Sequence, residues 1–157
     1  MTEEAVAYSL KEKDFAGAQN LYNNLGFLYY NQKDYNNAIT QFEKSIALAD
    51  KVKENLTAKQ KLEYTNTIDG VYSGMIMSCQ YTKNVAKLFS TQEQSRSGYL
   101  KEQMNKNIPL ASINDAQQLL QNDEVLITYS IGQPGEIIMS VITKNKAEIR
   151  YNYPIDE

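Results

Sequence analysis

The sequence predicts an α+β protein: helices across residues 3–107, a short further helix, then a three-stranded antiparallel β-meander. Two observations carry this. Up to residue 107 apolar side chains recur at spacings of three and four, the period of one helix face. From residue 124 the pattern switches to alternation, the period of a strand with two distinct faces.

Within residues 3–52, Ala5–Leu10 form a brief apolar patch that gives way to the polar run Lys11-Glu12-Lys13-Asp14. The next stretch, LYNNLGFLYYNQKDYNNAITQFEKSIALAD, reads as two amphipathic helices. Tyr22, Leu25 and Tyr29 mark one face of the first, and Ala38, Phe42 and Ser45 one face of the second. Asn31-Gln32-Lys33-Asp34 interrupts the pattern, and Asp34 is placed to cap the second helix through its carboxylate. Gly26 lies mid-helix, at a cost of about 1 kcal/mol relative to Ala. A close helix crossing, with small Ala38 opposite, would offset that cost.

Residues 57–107 form a second helical zone. Gly74 and Ala86 repeat the twelve-residue spacing of Gly26 and Ala38, displaced by 48. Leu25 and Tyr22 are replaced there by Ser73 and Gly70, so the expected second pair, residues 67–100, is degenerate. Ser112-Ile113-Asn114-Asp115 then opens a helix expected over 112–121, with an acid three residues after the capping serine.

Three strands follow, at 124–131, 136–143 and 147–153. In the first, Val125, Ile127, Tyr129 and Ile131 alternate with Leu126, Thr128 and Ser130, a strand buried on at least one side. Gln133-Pro134-Gly135-Glu136 is a turn signal, Pro134 presetting φ and Gly135 accepting φ above zero. Lys144-Asn145-Lys146 turns the chain again. The last strand is expected to be an unpaired edge through which copies of the chain self-associate.

Composition narrows the chemistry. The chain has 157 residues, a net charge of −3 and no histidine. It therefore cannot build a Ser-His-Asp or Cys-His pair from its own side chains. The lone cysteine, Cys79, sits on an expected helix without a neighbouring base and reads as a buried structural residue. Nothing points to a glycine-rich phosphate loop, a metal site or a cofactor. Basic residues exceed acidic ones, nine to five, only in residues 51–107, and they scatter along helix faces, so nucleic acid is not indicated. No apolar run reaches the roughly 18 residues of a membrane span. A cytoplasmic setting is expected from the lone cysteine and the acidic N-terminus.

Tyr22, Leu25, Gly26, Tyr29, Tyr35, Ala38, Phe42 and small Ser45 fall at the spacings of the tetratricopeptide repeat, and residues 19–52 resemble one unit of it. The proline that often ends that repeat is replaced by Asp50. The resemblance extends to residues 1–83 as a helical-repeat region. It implies a protein-interaction scaffold in which the first helix of each pair lines a groove. Asn20, Asn23, Phe27 and Tyr30 lie off the packing face and are the candidate groove residues for a protein or peptide ligand.

A second resemblance covers residues 84–157. The helix through Leu88-Phe89-Ser90-Thr91-Gln92, the short helix ending in Leu119-Leu120, then EVLITYSIG and IIMSVITKNKAEIRYNYP are similar to the start of a CHAT domain. That caspase-like module commonly follows tetratricopeptide repeats. The resemblance implies an N-terminal slice, inactive as it stands. Its alternative reading is part of a cysteine endopeptidase whose His and Cys lie outside residues 1–157.

Overall fold

The computed structural model describes residues 3–54, 56–104, 109–132 and 135–152. Within them seven helices precede three strands: α1 (Glu3–Lys11), α2 (Phe15–Asn31), α3 (Tyr35–Ala47), α4 (Ala49–Glu54), α5 (Ala58–Thr82), α6 (Val85–Met104), α7 (Ile113–Leu119), β1 (Val125–Ile131), β2 (Ile137–Thr143) and β3 (Lys146–Asn152). The α+β class is as the sequence predicts. Two compact units are present, Met1–Ser78 and Cys79–Glu157, the division falling inside α5.

Three helix junctions are built alike. Lys13, Lys33 and Lys83 take positive φ values of 59, 61 and 55°. After each, the next N–H reaches back five residues, to the carbonyl of Ser9 (2.8 Å), Tyr29 (2.9 Å) or Cys79 (3.2 Å). This is the Schellman ending, which satisfies carbonyls the helix leaves unpaired. The same residue then opens the next helix. Asp14, Asp34 and Asn84 accept from the N–H of Gly17, Asn37 and Lys87 at 2.9, 3.3 and 3.0 Å. The Asp34 cap is the one expected from the sequence. Thr57 and Gln60 cap α5 reciprocally: the Thr57 N–H donates to Gln60 Oε1 at 2.9 Å, and the Gln60 N–H to Thr57 Oγ1 at 3.4 Å.

In the first unit α2 and α3 form the hairpin. Ala18, Ala38, Phe42 and Ser45 are fully buried. Ser45 donates its hydroxyl to the Gln19 carbonyl at 3.1 Å, and Gln19 Nε2 donates to the Tyr64 hydroxyl on α5 at 2.5 Å. What stands against Gly26, however, is a ring. A Cβ added there would lie 2.5 Å from Phe42 Cε1, and no Ala38 atom is among its three nearest neighbours. The group nearest the glycine is thus the Phe42 ring. The ring needs the volume that a side chain at position 26 would fill.

In the second unit the three strands run in the order β1-β2-β3, antiparallel throughout. Leu126, Thr128 and Ser130 pair with Ile142, Ser140 and Ile138 and form the inner face. That face packs on Phe89 of α6 and Ala116 of α7, with Ile113, Leu120 and Ala147 closing the cluster. The buried side of β1 is therefore the Leu126–Thr128 side, and Val125, Ile127, Tyr129 and Ile131 face outward. Two hydroxyls can turn inward because Gln92, itself buried, meets them. Thr128 Oγ1 and Ser140 Oγ donate to Gln92 Oε1 at 2.6 and 2.8 Å, and Gln92 Nε2 donates to the Ile138 carbonyl at 3.2 Å.

The capping box at the start of α7 is present in full, with Ser112 as the cap, so the helix proper begins at Ile113. Gly135 takes φ of 83°, as the expected turn requires, whereas Gln133 and Pro134 lie outside the described residues. So do residues 105–107 of the second helical zone and Tyr153 of the last strand. β3 is an edge strand whose outward side chains carry charge: Glu148 pairs with Lys146, and with Arg150 at 2.5 Å.

Candidate functional site

The α2 helix carries the candidate groove. Asp14 holds its N-terminus, and its C-terminal N–H groups close onto Leu28 and Tyr30. One face, through Ala18, Gln19, Leu25 and Gly26, is buried. Asn20, Asn23, Phe27 and Tyr30 follow at spacings of three, four and three, so they form a single stripe beside that face.

The four members differ in setting. Asn20 is exposed, and the other three are half-buried. Phe27 meets Phe42 edge to face, the ring centroids 5.1 Å apart at 78°. A Cβ added at Gly74 of α5 would lie 3.1 Å from the Phe27 ring, so Phe27 also faces α5. The Tyr30 hydroxyl lies 4.0 Å from Met77 Sδ on the same helix, and its ring stacks edgewise on Tyr35 at 5.5 Å. Asn23 Oδ1 is buried and, among the described residues, has no hydrogen-bond partner. The stripe is thus polar toward the start of α2 and aromatic toward its end, where α5 lies against it.

The other signature positions serve packing. Leu25 and Ala38 are buried and Tyr29 is half-buried. Tyr22 lies under the Lys44 ammonium, 5.4 Å from its ring centroid. Phe42 is held from two sides: the Cβ that Gly74 lacks would lie 2.5 Å from its ring, the same clearance found at Gly26. In the sequence Gly74 reads only as an echo of Gly26. Nothing in the spacing tells that it serves the same ring. Gln19, buried between Ser45 and Tyr64, left no signal in the sequence, since a glutamine on an apolar face reads as solvated.

Among the described residues no three of Cys, Asp, Glu or His come together in a way that could hold a metal ion. Cys79 is fully buried and outside any disulfide. Two carboxylates held below their ordinary range, Asp115 and Glu148, lie in the second unit and are accounted for by neighbours. Ser112 donates to Asp115, first through its hydroxyl and then through its backbone, and Lys146 and then Arg150 donate to Glu148. Among the described residues no helix is long and apolar enough to cross a membrane.

Residues 19–51 match the family model of the tetratricopeptide repeat. The matched segment is the α2–α3 hairpin with the first residues of α4. No curated protein and no solved structure matches the chain.

Proposed function

We propose that the first unit is a protein-interaction scaffold that takes an extended peptide along α2. The match of residues 19–51 to the tetratricopeptide repeat carries this reading, because such repeats generally bind proteins or peptides through the first helix of each pair. Asn20 and Asn23 are the polar contacts of the groove, and Phe27 and Tyr30 form its aromatic wall. Asn23 adds support. An unsatisfied buried acceptor costs about 1–3 kcal/mol, so its amide gains by turning toward a ligand N–H. No lysine or arginine occupies the stripe, so the ligand is held by its backbone and apolar side chains and not by a terminal carboxylate.

Selection from a random peptide library on the immobilised chain, followed by calorimetry on the selected peptides, tests this. Asn20→Ala with Asn23→Ala should weaken binding about tenfold or more, equivalent to about 1.4 kcal/mol, with the melting midpoint preserved. Binding that ignores both substitutions places the ligand elsewhere, and a library yielding no binder rejects the scaffold reading.

A second reading concerns residues 84–157. The order α6, α7, then a three-stranded antiparallel sheet supports an opening portion of a caspase-like CHAT domain, without catalytic residues of its own. In that reading the parent protein is a cysteine endopeptidase. Sequencing the parent transcript decides it: a histidine and then a cysteine, each after an apolar strand, are required beyond Glu157.

A further inference from the structure

The outer face of the sheet is apolar over two of its three strands. Val125, Ile127, Tyr129 and Ile131 stand on it, 51, 51, 58 and 71% exposed. The register sets Ile137, Met139 and Val141 of β2 beside them. Only β3 contributes charge, with the ion-paired Lys146, Glu148 and Arg150 along one side.

The two edges of the sheet are guarded where the face is not. The Gly132 N–H donates to the Glu136 carbonyl at 2.7 Å, which fixes the phase of the β1–β2 ladder. By alternation the backbone groups of Val125, Ile127, Tyr129 and Ile131 point to the open edge. Arg96 of α6 donates to the Tyr129 carbonyl there and sets its guanidinium 6.0 Å from the Tyr129 ring centroid. An incoming strand would have to displace it. At the other edge, the charged row of β3 discourages pairing in the same way.

We propose that this outer face packs on the same face of a second copy, giving a two-fold β-sandwich. The self-association expected of the β3 edge thereby moves to the β1–β2 face. The four β1 side chains leave on the order of 400 Å² of apolar surface in water, and β2 brings the patch to about 500 Å², within the range of the largest, often functional, patch on a protein surface. Two such patches remove about 1,000 Å² in total, the lower end of what a specific interface needs. A two-fold axis sets apolar half against apolar half and leaves the ion-paired rows at the rim, the layout of a self-complementary interface. No β1 or β2 side chain of the apolar half is charged, and a cation beside it, Arg96, stands at its border against Tyr129. The small area makes the dimer a weak one.

Sedimentation velocity on the full chain, from low to high micromolar concentration, tests this. The chain should pass from monomer to dimer. Ile127→Lys should raise the dissociation constant about a hundredfold or more, a loss of about 2.8 kcal/mol, while the far-ultraviolet dichroism stays unchanged. Ile131→Ser, a milder change at the most exposed position, should act in the same direction and covers the case in which the lysine variant folds poorly. Ile127→Cys should cross-link between copies with a short bismaleimide. A wild-type chain that stays monomeric throughout overturns the proposal. So does a dimer indifferent to both substitutions, as β3 edge pairing would give, or an open series of higher oligomers, since a self-complementary face closes at two.

Discussion

The Phe42 ring occupies the space that a side chain on Gly26 would need, with 2.5 Å between the ring and an added Cβ. Gly74 of α5 presents the same clearance to the same ring. One fully buried aromatic on α3 is thus seated between glycines of two other helices, and Phe27 abuts its edge. The helix propensity that Gly26 gives up is offset by the burial of the ring it admits.

Gly26→Leu should therefore force Phe42 off its rotamer and destabilise the first unit by about 1–3 kcal/mol. Gly74→Leu should do the same. Phe42→Ala should cost about 3–5 kcal/mol by leaving a cavity. Combined with Phe42→Ala, the Gly26→Leu penalty should shrink, because the clash is with the ring. Urea melts of the four variants check this. Strict additivity would mean that glycine and ring do not share the volume.

This contact also shows what was legible in the sequence. The change of period from helix to strand, the Asp34 cap and the Ser112–Asp115 box depend on neighbours within four residues, and each is found. The partner of Gly26 is a tertiary matter. Ala38 and Phe42 lie on the same face of α3, and only the helix crossing selects between them. The sidedness of β1 failed to show for a like reason. A face of Val, Ile and Tyr looks more buried than one of Leu, Thr and Ser, but Gln92, 36 residues before Thr128, reverses the preference by satisfying both hydroxyls. The groove stripe follows from helical spacing alone, whereas the cover that α5 gives Phe27 and Tyr30 comes from residues more than forty positions away.

The lysines in the left-handed region are a removable strain. A non-glycine residue in that conformation gives up roughly 1 kcal/mol relative to glycine. Lys13→Gly, Lys33→Gly and Lys83→Gly should each stabilise the chain by about 0.5–1 kcal/mol, and Lys33→Val should destabilise it. Melting midpoints of the single variants decide this. A destabilising glycine would show that the lysine side chain contributes more than its backbone costs.

Gln92 fixes how α6 sits on the sheet. Gln92→Leu leaves the Thr128 and Ser140 hydroxyls and the Ile138 carbonyl without their buried partner, each loss worth about 1–3 kcal/mol. The variant should lose stability heavily. Adding Thr128→Val and Ser140→Ala should recover much of it, since an apolar replacement leaves nothing to satisfy. A triple variant no more stable than the single one would locate the role of Gln92 in its shape instead of its hydrogen bonds.

Acid should weaken the second unit through two identifiable groups. The Ser112 hydroxyl and backbone N–H donate to Asp115 Oδ2 at 2.7 and 2.8 Å and hold its carboxyl below the ordinary value. Lys146 and Arg150 do the same for Glu148. Both groups therefore bind fewer protons folded than unfolded. Their stabilisation is complete above the ordinary carboxylate range and is lost as pH falls through that range toward the lowered folded values. Melts between neutral and strongly acidic pH should show this decline. Asp115→Asn and Glu148→Gln should each flatten part of it. Ser112→Ala should return the Asp115 carboxyl toward its ordinary value in a side-chain carbon NMR titration, because the hydroxyl is the larger of its two donors. An Asp115 titration unmoved by that substitution would mean the capping box does not hold the proton off.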